Sequence, residues 1–203
     1  MFYETKNGHG LRNDPFKSLV VPRPIGWITT VDKQGRVNLA PYSFFNAISE
    51  APPMVMFAPG GRKADRHIKD SRANVEETGE FVCNLSTWES REAMNLTSAN
   101  LAAGEDEMVH AKLTPAPSRL VKPPRVKESP VHFECKLWKV VELPTHDKDE
   151  PNCMVVGEVV GVHIDDALIK DQRVDIVAAL PIARLGYSEY TVVDSKFSMR
   201  RPG

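Results

Sequence analysis

Two stretches of the chain gather residue types suited to holding a ligand. The first is Arg62-Lys63 followed by Lys69-Asp70-Ser71, ahead of Asn74. Cations, a hydroxyl and a helix start in one segment supply what a phosphate needs: opposite charge, hydrogen bonds and oriented backbone N–H groups. A solvated helix face has the same composition, so the pattern alone leaves both readings open. The second stretch is Thr29-Thr30 together with Ala40-Pro41-Tyr42-Ser43-Phe44-Phe45-Asn46. Small, hydroxyl and aromatic residues alternate there, where a strand meets a proline. Such a rim accepts a flat aromatic ligand, stacking on one side and offering backbone donors on the other. An ordinary strand end with core aromatics has the same pattern.

Other chemistries lack their residues. Asn7-Gly8-His9-Gly10 is the nearest approach to a dinucleotide fingerprint and follows no strand. Gly60-Gly61-Arg62-Lys63 lacks the glycine spacing and the Lys-Ser/Thr ending of a P-loop. His9, His67, His110, His132, His146 and His163 form no HExxH or His-x-His pair, which leaves a metal site without sequence support. His132 and His163 fall in strands and read as structural histidines. No Gly-x-Ser-x-Gly elbow marks a serine nucleophile. Cys83, Cys135 and Cys153 are odd in number and widely spaced, which excludes a fully paired disulfide framework and any CxxC motif. Cys83 and Cys135 lie in alternating apolar runs, as buried thiols do. The acidic run Glu105-Asp106-Glu107 reads as a solvated face.

The elements that position these residues follow from periodicity. Ile25 to Val31 is rich in β-branched and aromatic residues and predicts a strand. Asp32 to Gly35 is a turn, and Val37 to Ala40 returns as the partner strand before Pro41 breaks the ladder. Ser43 to Ser49 is a mixed stretch, and Pro52-Pro53 leads into a short buried strand, Met54 to Ala58. A helical pattern carries Ala64, Ile68 and Val75 on one face and stops at Gly79, with Asp70 or Ser71 able to cap a shorter helix. Phe81 to Leu85 is a strand, and Glu89 to Ala103 reads as a helix ending at Gly104. A proline-dense loop (Pro115 to Pro130) precedes two long strands, Val131 to Leu143 and Met154 to Ile164, paired as a hairpin across a polar loop. A short helical piece around Asp171 to Leu180 and an extended run, Lys196 to Arg200, complete the reading. Consecutive hairpins without strand–helix–strand alternation argue for a mainly β fold, an antiparallel sheet or barrel with added helices.

The chain has 203 residues, with 26 Lys and Arg against 27 Asp and Glu and a net charge of −1. That balance gives no reason to expect a nucleic acid or an anionic membrane as partner. Apolar residues make up 41% and charged residues 26%, as in ordinary globular proteins. The length suits one domain over residues 1–203 and is short for a dehydrogenase with a separate dinucleotide domain. No basic leader or apolar span is present, and a reducing cytoplasm is the expected location.

Several of these segments together resemble the flavin reductase-like family of FMN-binding split barrels. They are Pro22-Arg23-Pro24-Ile25-Gly26-Trp27-Ile28-Thr29-Thr30, Asn38 to Asn46, Pro52-Pro53, Lys69-Asp70-Ser71 and Gly79 to Leu85. Glu128-Ser129-Pro130, Val156-Gly157-Glu158-Val159 and Ala183-Arg184-Leu185-Gly186 continue the match, in order, over nearly the whole chain. Within the family it looks closest to the reductase components of two-component monooxygenases.

The resemblance implies a six-stranded antiparallel Greek-key barrel that forms a homodimer, with FMN in a groove at the subunit interface. It implies Thr29 and Thr30 in the strand beside the flavin, and Ser43, Phe44, Phe45 and Asn46 bordering the isoalloxazine and ribityl chain. Arg62, Lys69 and Ser71 would hold the phosphate, with Asp70 orienting neighbours. The family often runs Arg-Lys-Asp-Thr together, whereas here the basic pair Arg62-Lys63 stands apart from Lys69-Asp70-Ser71 and Ser71 replaces the threonine. The implied activity is hydride transfer from NADH or NADPH to FMN, with reduced flavin passed to a flavin-dependent monooxygenase. Chemistry carried by the flavin requires no catalytic triad or acid–base pair. Backbone N–H groups near Ser43 to Asn46 would stabilise charge on the reduced flavin. An FMN-binding electron carrier of flavoredoxin type, without NAD(P)H turnover, would use the same fold.

Overall fold

The computed structural model describes residues 1–61, 68–101, 105–147 and 150–203. After a short helix α1 (Phe16–Leu19), strands β1 (Arg23–Pro24), β2 (Gly26–Val31), β3 (Val37–Tyr42), β4 (Phe45–Glu50) and β5 (Pro53–Phe57) follow one another. Helix α2 (Asp70–Thr78) leads into β6 (Glu80–Leu85), and then come α3 (Arg91–Leu96), α4 (Glu107–His110), β7 (Pro115–Ala116) and β8 (Arg125–Val126). The long strands β9 (Val131–Leu143) and β10 (Asn152–Ile164) precede the small strands β11 (Ile169–Lys170), β12 (Arg173–Val174), β13 (Ile182–Arg184) and β14 (Tyr190–Val192).

Seven strands form the main sheet in the order β3-β2-β6-β9-β10-β5-β4, all neighbours antiparallel. Its two edges, β3 and β4, are consecutive in the chain and joined only by Ser43-Phe44. Two residues span too little distance to join the edges of a flat seven-stranded sheet. The sheet must therefore curl until its edges meet at that connector, yet β3 and β4 make no ladder. The result is a barrel with a split, with seven strands in place of the expected six.

β2 is buried along its whole length because it is covered on both faces. Trp27 packs on one side with Leu39, Met94, Met108 and Ile182, whereas Ile28 packs inside the curl with Phe57, Val75, Phe81 and Val155. The period-2 alternation of the strand thus feeds two cores. The β9–β10 hairpin matches expectation, with register shifts at Val156/Gly157 and Val159/Gly161 that bend its two long strands.

Several expectations are corrected. β3 runs through Pro41 to Tyr42, with Pro41 opposite Trp27; an edge strand tolerates a residue without an N–H. The described helix starts at Asp70, with Lys69 in the cap position and no side-chain cap, so neither Asp70 nor Ser71 caps it. Ala64 of the longer helical pattern lies outside the described residues. Gly79 does end the helix in the left-handed conformation, at φ 74°. Among the described residues the Glu89 to Ala103 helix reduces to Arg91–Leu96, because the Thr97 hydroxyl turns back to the Met94 carbonyl and also accepts from the Trp27 indole; Ala102 and Ala103 lie outside the described residues. Glu107 is not on a solvated face: it is 4% exposed and accepts the Leu39 N–H at 3.0 Å. Around 171–180 a β11–β12 hairpin and one 3-10 turn, Ile176–Ala179, replace the helical piece. Residues 196–200 form no strand, and the last strand is β14. Among the described residues no helix is long and apolar enough to cross a membrane.

Candidate functional site

The split in the barrel brings a rim and a helix start together. At the rim, side chains alternate inward and outward across the connector. Phe45 turns in: a Cβ on Gly26 would lie 2.6 Å from its ring, so only glycine lets that ring sit over β2. Phe44 turns out, 41% exposed, with Lys17 Nζ 6.0 Å from its ring centre. Ser43 is half-buried, and its Oγ accepts from Arg23 Nε at 3.5 Å. Exposed Asn46 folds its Oδ1 onto the Ala47 N–H at 2.9 Å. The Phe44 carbonyl is taken by the Ala58 N–H, which ties the connector to the end of β5. As an edge strand, β4 turns alternate backbone groups away from β5. The rim therefore offers an aromatic face beside a row of backbone donors.

The helix start has the residue types suited to an anion. Lys69 stands extended before α2, and its own side chain makes no cap hydrogen bond to the first-turn N–H groups. Those groups and the positive end of the helix dipole favour an anion, reinforced by the Lys69 ammonium. Lys69 lies beside Gly61, its Cε 3.9 Å from where a glycine Cβ would stand. Asp70, in the first turn, is buried. Arg62, read from sequence as a partner of Lys69, lies outside the described residues.

A buried hydrogen-bond network ties rim to helix. Ser71 is 1% exposed, and its Oγ accepts from Asn38 Nδ2 and from the Tyr42 hydroxyl, each at 2.9 Å. Thr30 Oγ1 accepts from Asn38 Nδ2 at 3.3 Å and from Asn74 Nδ2 at 3.0 Å. Burial pushes the Tyr42 phenol well above its ordinary range, so it remains a neutral donor. Tyr42 is also the residue before Ser43, so one side chain links the α2 start to the rim.

The ten sequence candidates are thus distributed unequally. Ser43, Phe44 and Asn46 line the rim, and Phe45 supports it from inside. Lys69 is at the helix start, while Thr30, Asp70 and Ser71 lie buried behind it. Thr29 faces the other side of β2, where its Oγ1 accepts from Asn84 at 2.8 Å. Tyr42, Asn38 and Arg23 also build the site, and all three stand inside the segments that carry its sequence pattern. An arginine held between two prolines, Pro22-Arg23-Pro24, is the available signal. Arg23 is 6% exposed and donates to the carbonyls of Lys17, Val20 and Leu185, which pins the N-terminal segment against the rim. Burial, followed by the charge of Arg184, lowers its pKa. All three cysteines are free and buried; burial and the neighbouring Cys135 hold the Cys83 thiol well above its usual value, as expected of an inert packing thiol.

Residues 18–182 match the model of the flavin reductase like domain. An uncharacterized protein of Aquifex aeolicus (strain VF5) is 40% identical over 173 residues, covering 85% of each chain. The structure of nitrilotriacetate monooxygenase component B from Bacillus cereus superposes with a TM-score of 0.87 at 32% identity, covering 98% of both chains. That of 2-nitrobenzoate 2-nitroreductase NbaA from Pseudomonas fluorescens gives 0.79 at 30% identity, covering 92% of this chain and 88% of the other.

Proposed function

Because the chain belongs to the flavin reductase-like family, we propose that it binds FMN at the split of its barrel and reduces it with NADH or NADPH. The observation that carries the reading is the 2.9 Å bond from Tyr42 to Ser71. It holds a rim fit for a flat ring system against a helix start fit for a phosphate, and FMN contains both groups. The residues fit in other respects too. Gly26 leaves room for Phe45 where any Cβ would displace the ring, and the start of α2 carries its own cation at Lys69.

Bound FMN would supply the hydride acceptor for the nicotinamide, and the chain's own residues bind and orient it. Ser43, Phe44 and Asn46 border the ring system, and backbone donors of edge strand β4 face its polar edge, where they favour added negative charge. Lys69 and the first-turn N–H groups of α2 hold the phosphate. Tyr42, Asn38, Asn74, Thr30 and Ser71 are positioning residues, and Phe45 packs beneath the rim.

A second copy of the chain completes the site. Phe44 on the connector and Ile48 on edge strand β4 expose apolar surface, 41% and 50% respectively, and a homodimer covers it while adding the second wall of the pocket. Reduced flavin then serves a flavin-dependent monooxygenase, a reading supported by the likeness to a monooxygenase component B. The test is to mix the protein with excess FMN and either nicotinamide nucleotide and follow nucleotide oxidation. Turnover with either supports the reductase. A yellow protein without turnover replaces it with an electron carrier, and the absence of any flavin binding overturns both.

A further inference from the structure

A groove of about 480 Å³ lies between α3 and the β13–β14 hairpin. It continues into a smaller recess through the shared residues Met94, Asn95, Arg184 and Tyr190, and that recess ends at Ser43 on the rim. The volume is within the range that takes a small ligand.

Its walls carry two aromatic–guanidinium layers. Arg91 Cζ sits 3.8 Å from the Trp88 ring centre, and Arg184 Cζ sits 4.5 Å from that of Tyr190. Arg184 is fixed further by the Tyr190 hydroxyl and the Tyr187 carbonyl. Arg23 stands opposite Arg184 in the β1–β13 register. Among the described residues neither Arg23 nor Arg184 has a carboxylate within ion-pair distance; the pairing of Arg91 with Glu92 is a long 3.5 Å, and that carboxylate is 80% exposed. Adjacent guanidiniums without a counter-ion attract an anion, and arginine planes stacked on aromatic rings favour a flat, conjugated one.

We propose that this groove binds the adenosine diphosphate half of the reduced nicotinamide dinucleotide. The inference rests on the reductase reading above, because the groove starts at the rim assigned to the flavin and leads away from it. A dinucleotide with its nicotinamide at the rim must send an anionic diphosphate and then a second flat ring along some path. Arg184, backed by Arg23, lies first on this path and takes the diphosphate. The Arg91–Trp88 layer lies beyond and takes the adenine.

The test uses the FMN-saturated protein and ADP as probe, read by titration calorimetry. The proposal expects one ADP per chain, with the dissociation constant raised at least tenfold by Arg91→Ala and further by Arg91→Glu. The Arg91 side chain is 38% exposed at the start of α3, with its bonds among the described residues made to Trp88 and Glu92, and thermal melts of both variants confirm that they fold. In parallel, the ratio of kcat/KM for NADH to that for reduced nicotinamide mononucleotide, which lacks the adenylate, should fall about tenfold in Arg91→Ala. Absence of ADP binding, or equal affinity in wild type and both variants, overturns the proposal even if NADH is oxidised. ADP binding that depends on Arg91 in a protein that oxidises neither nicotinamide nucleotide upholds the groove as an adenylate site and removes the reductase reading instead.

Discussion

His132 makes the stability of this protein depend on pH. The imidazole is 4% exposed, and its Nε2 lies 2.9 Å from the Val126 carbonyl, to which it donates as the neutral tautomer. Its Nδ1 is buried with no hydrogen-bond partner among the described residues. Protonation would create a buried N–H with nothing to accept it. Burial therefore lowers the pKa from 6.5 to about 4; Arg125 and His163 push the same way, and the Val126 carbonyl and Glu134 push back. The unfolded chain takes up this proton as pH falls through about 6.5, the folded chain only near 4. Stability from the neutral ring is therefore whole above the higher value and is lost as pH falls toward the lower one. At about pH 4.5 the loss amounts to about 2.5 kcal/mol, with each pH step across the gap worth about 1.4 kcal/mol. Urea unfolding of wild type and His132→Gln, measured at neutral pH and about pH 4.5, isolates the effect, because other titrating groups are common to both proteins. The difference in unfolding free energy between them should shift by about 2.5 kcal/mol in favour of the variant on acidification. Parallel stability curves for the two proteins would refute the argument.

Three further outcomes follow from the site. Lys69→Ala should weaken FMN about 10- to 100-fold, the worth of a charge-assisted contact, while changing riboflavin affinity little; equal losses in fluorescence titrations would remove Lys69 from the phosphate. Tyr42→Phe, which takes one buried donor from Ser71, should cost about 1 kcal/mol and lower Tm by about 3 °C; an unchanged Tm would show that the rim and α2 are not coupled through that bond. Ile48→Asp on the exposed edge strand should convert a homodimer to monomer in analytical ultracentrifugation, and an unchanged sedimentation coefficient would place the interface elsewhere.

What the sequence made legible depends on the range over which each feature is decided. β9 was read to the residue because alternation of Val131, Phe133 and Cys135 with polar neighbours is local information. The two-residue connector at Ser43-Phe44 is not legible, because Pro41 suggests an earlier break and Ser43 to Ser49 reads only as a mixed stretch. That it joins the two edges of one sheet depends on strand order, and strand order brings β6, β9 and β10 between them. Glu107 read as solvated because its partner, the Leu39 N–H, is 68 residues away. The same holds for Ser71, whose donors Asn38 and Tyr42 arrive through the register of β3 against β2. A hydroxyl beside a lysine at a helix start suggested a phosphate ligand, whereas in the folded chain that hydroxyl serves an interior network. Thr29 and Thr30 illustrate the same point: adjacent in sequence, they face opposite sides of β2 and only Thr30 reaches the network. Helix length was misjudged at Glu89 to Ala103, where composition favoured a helix but the Trp27 indole claims Thr97 and the helix stops.

The central claim is that hydride passes directly from the nicotinamide to flavin held at this split. The most direct measurement is anaerobic rapid mixing of the FMN-loaded protein with NADH or NADPH, unlabelled or deuterated at the nicotinamide C4, while the oxidised flavin absorbance is recorded. Bleaching is expected with one of the two nucleotides, slowed by the deuterium. Bound flavin that stays oxidised with both would contradict it.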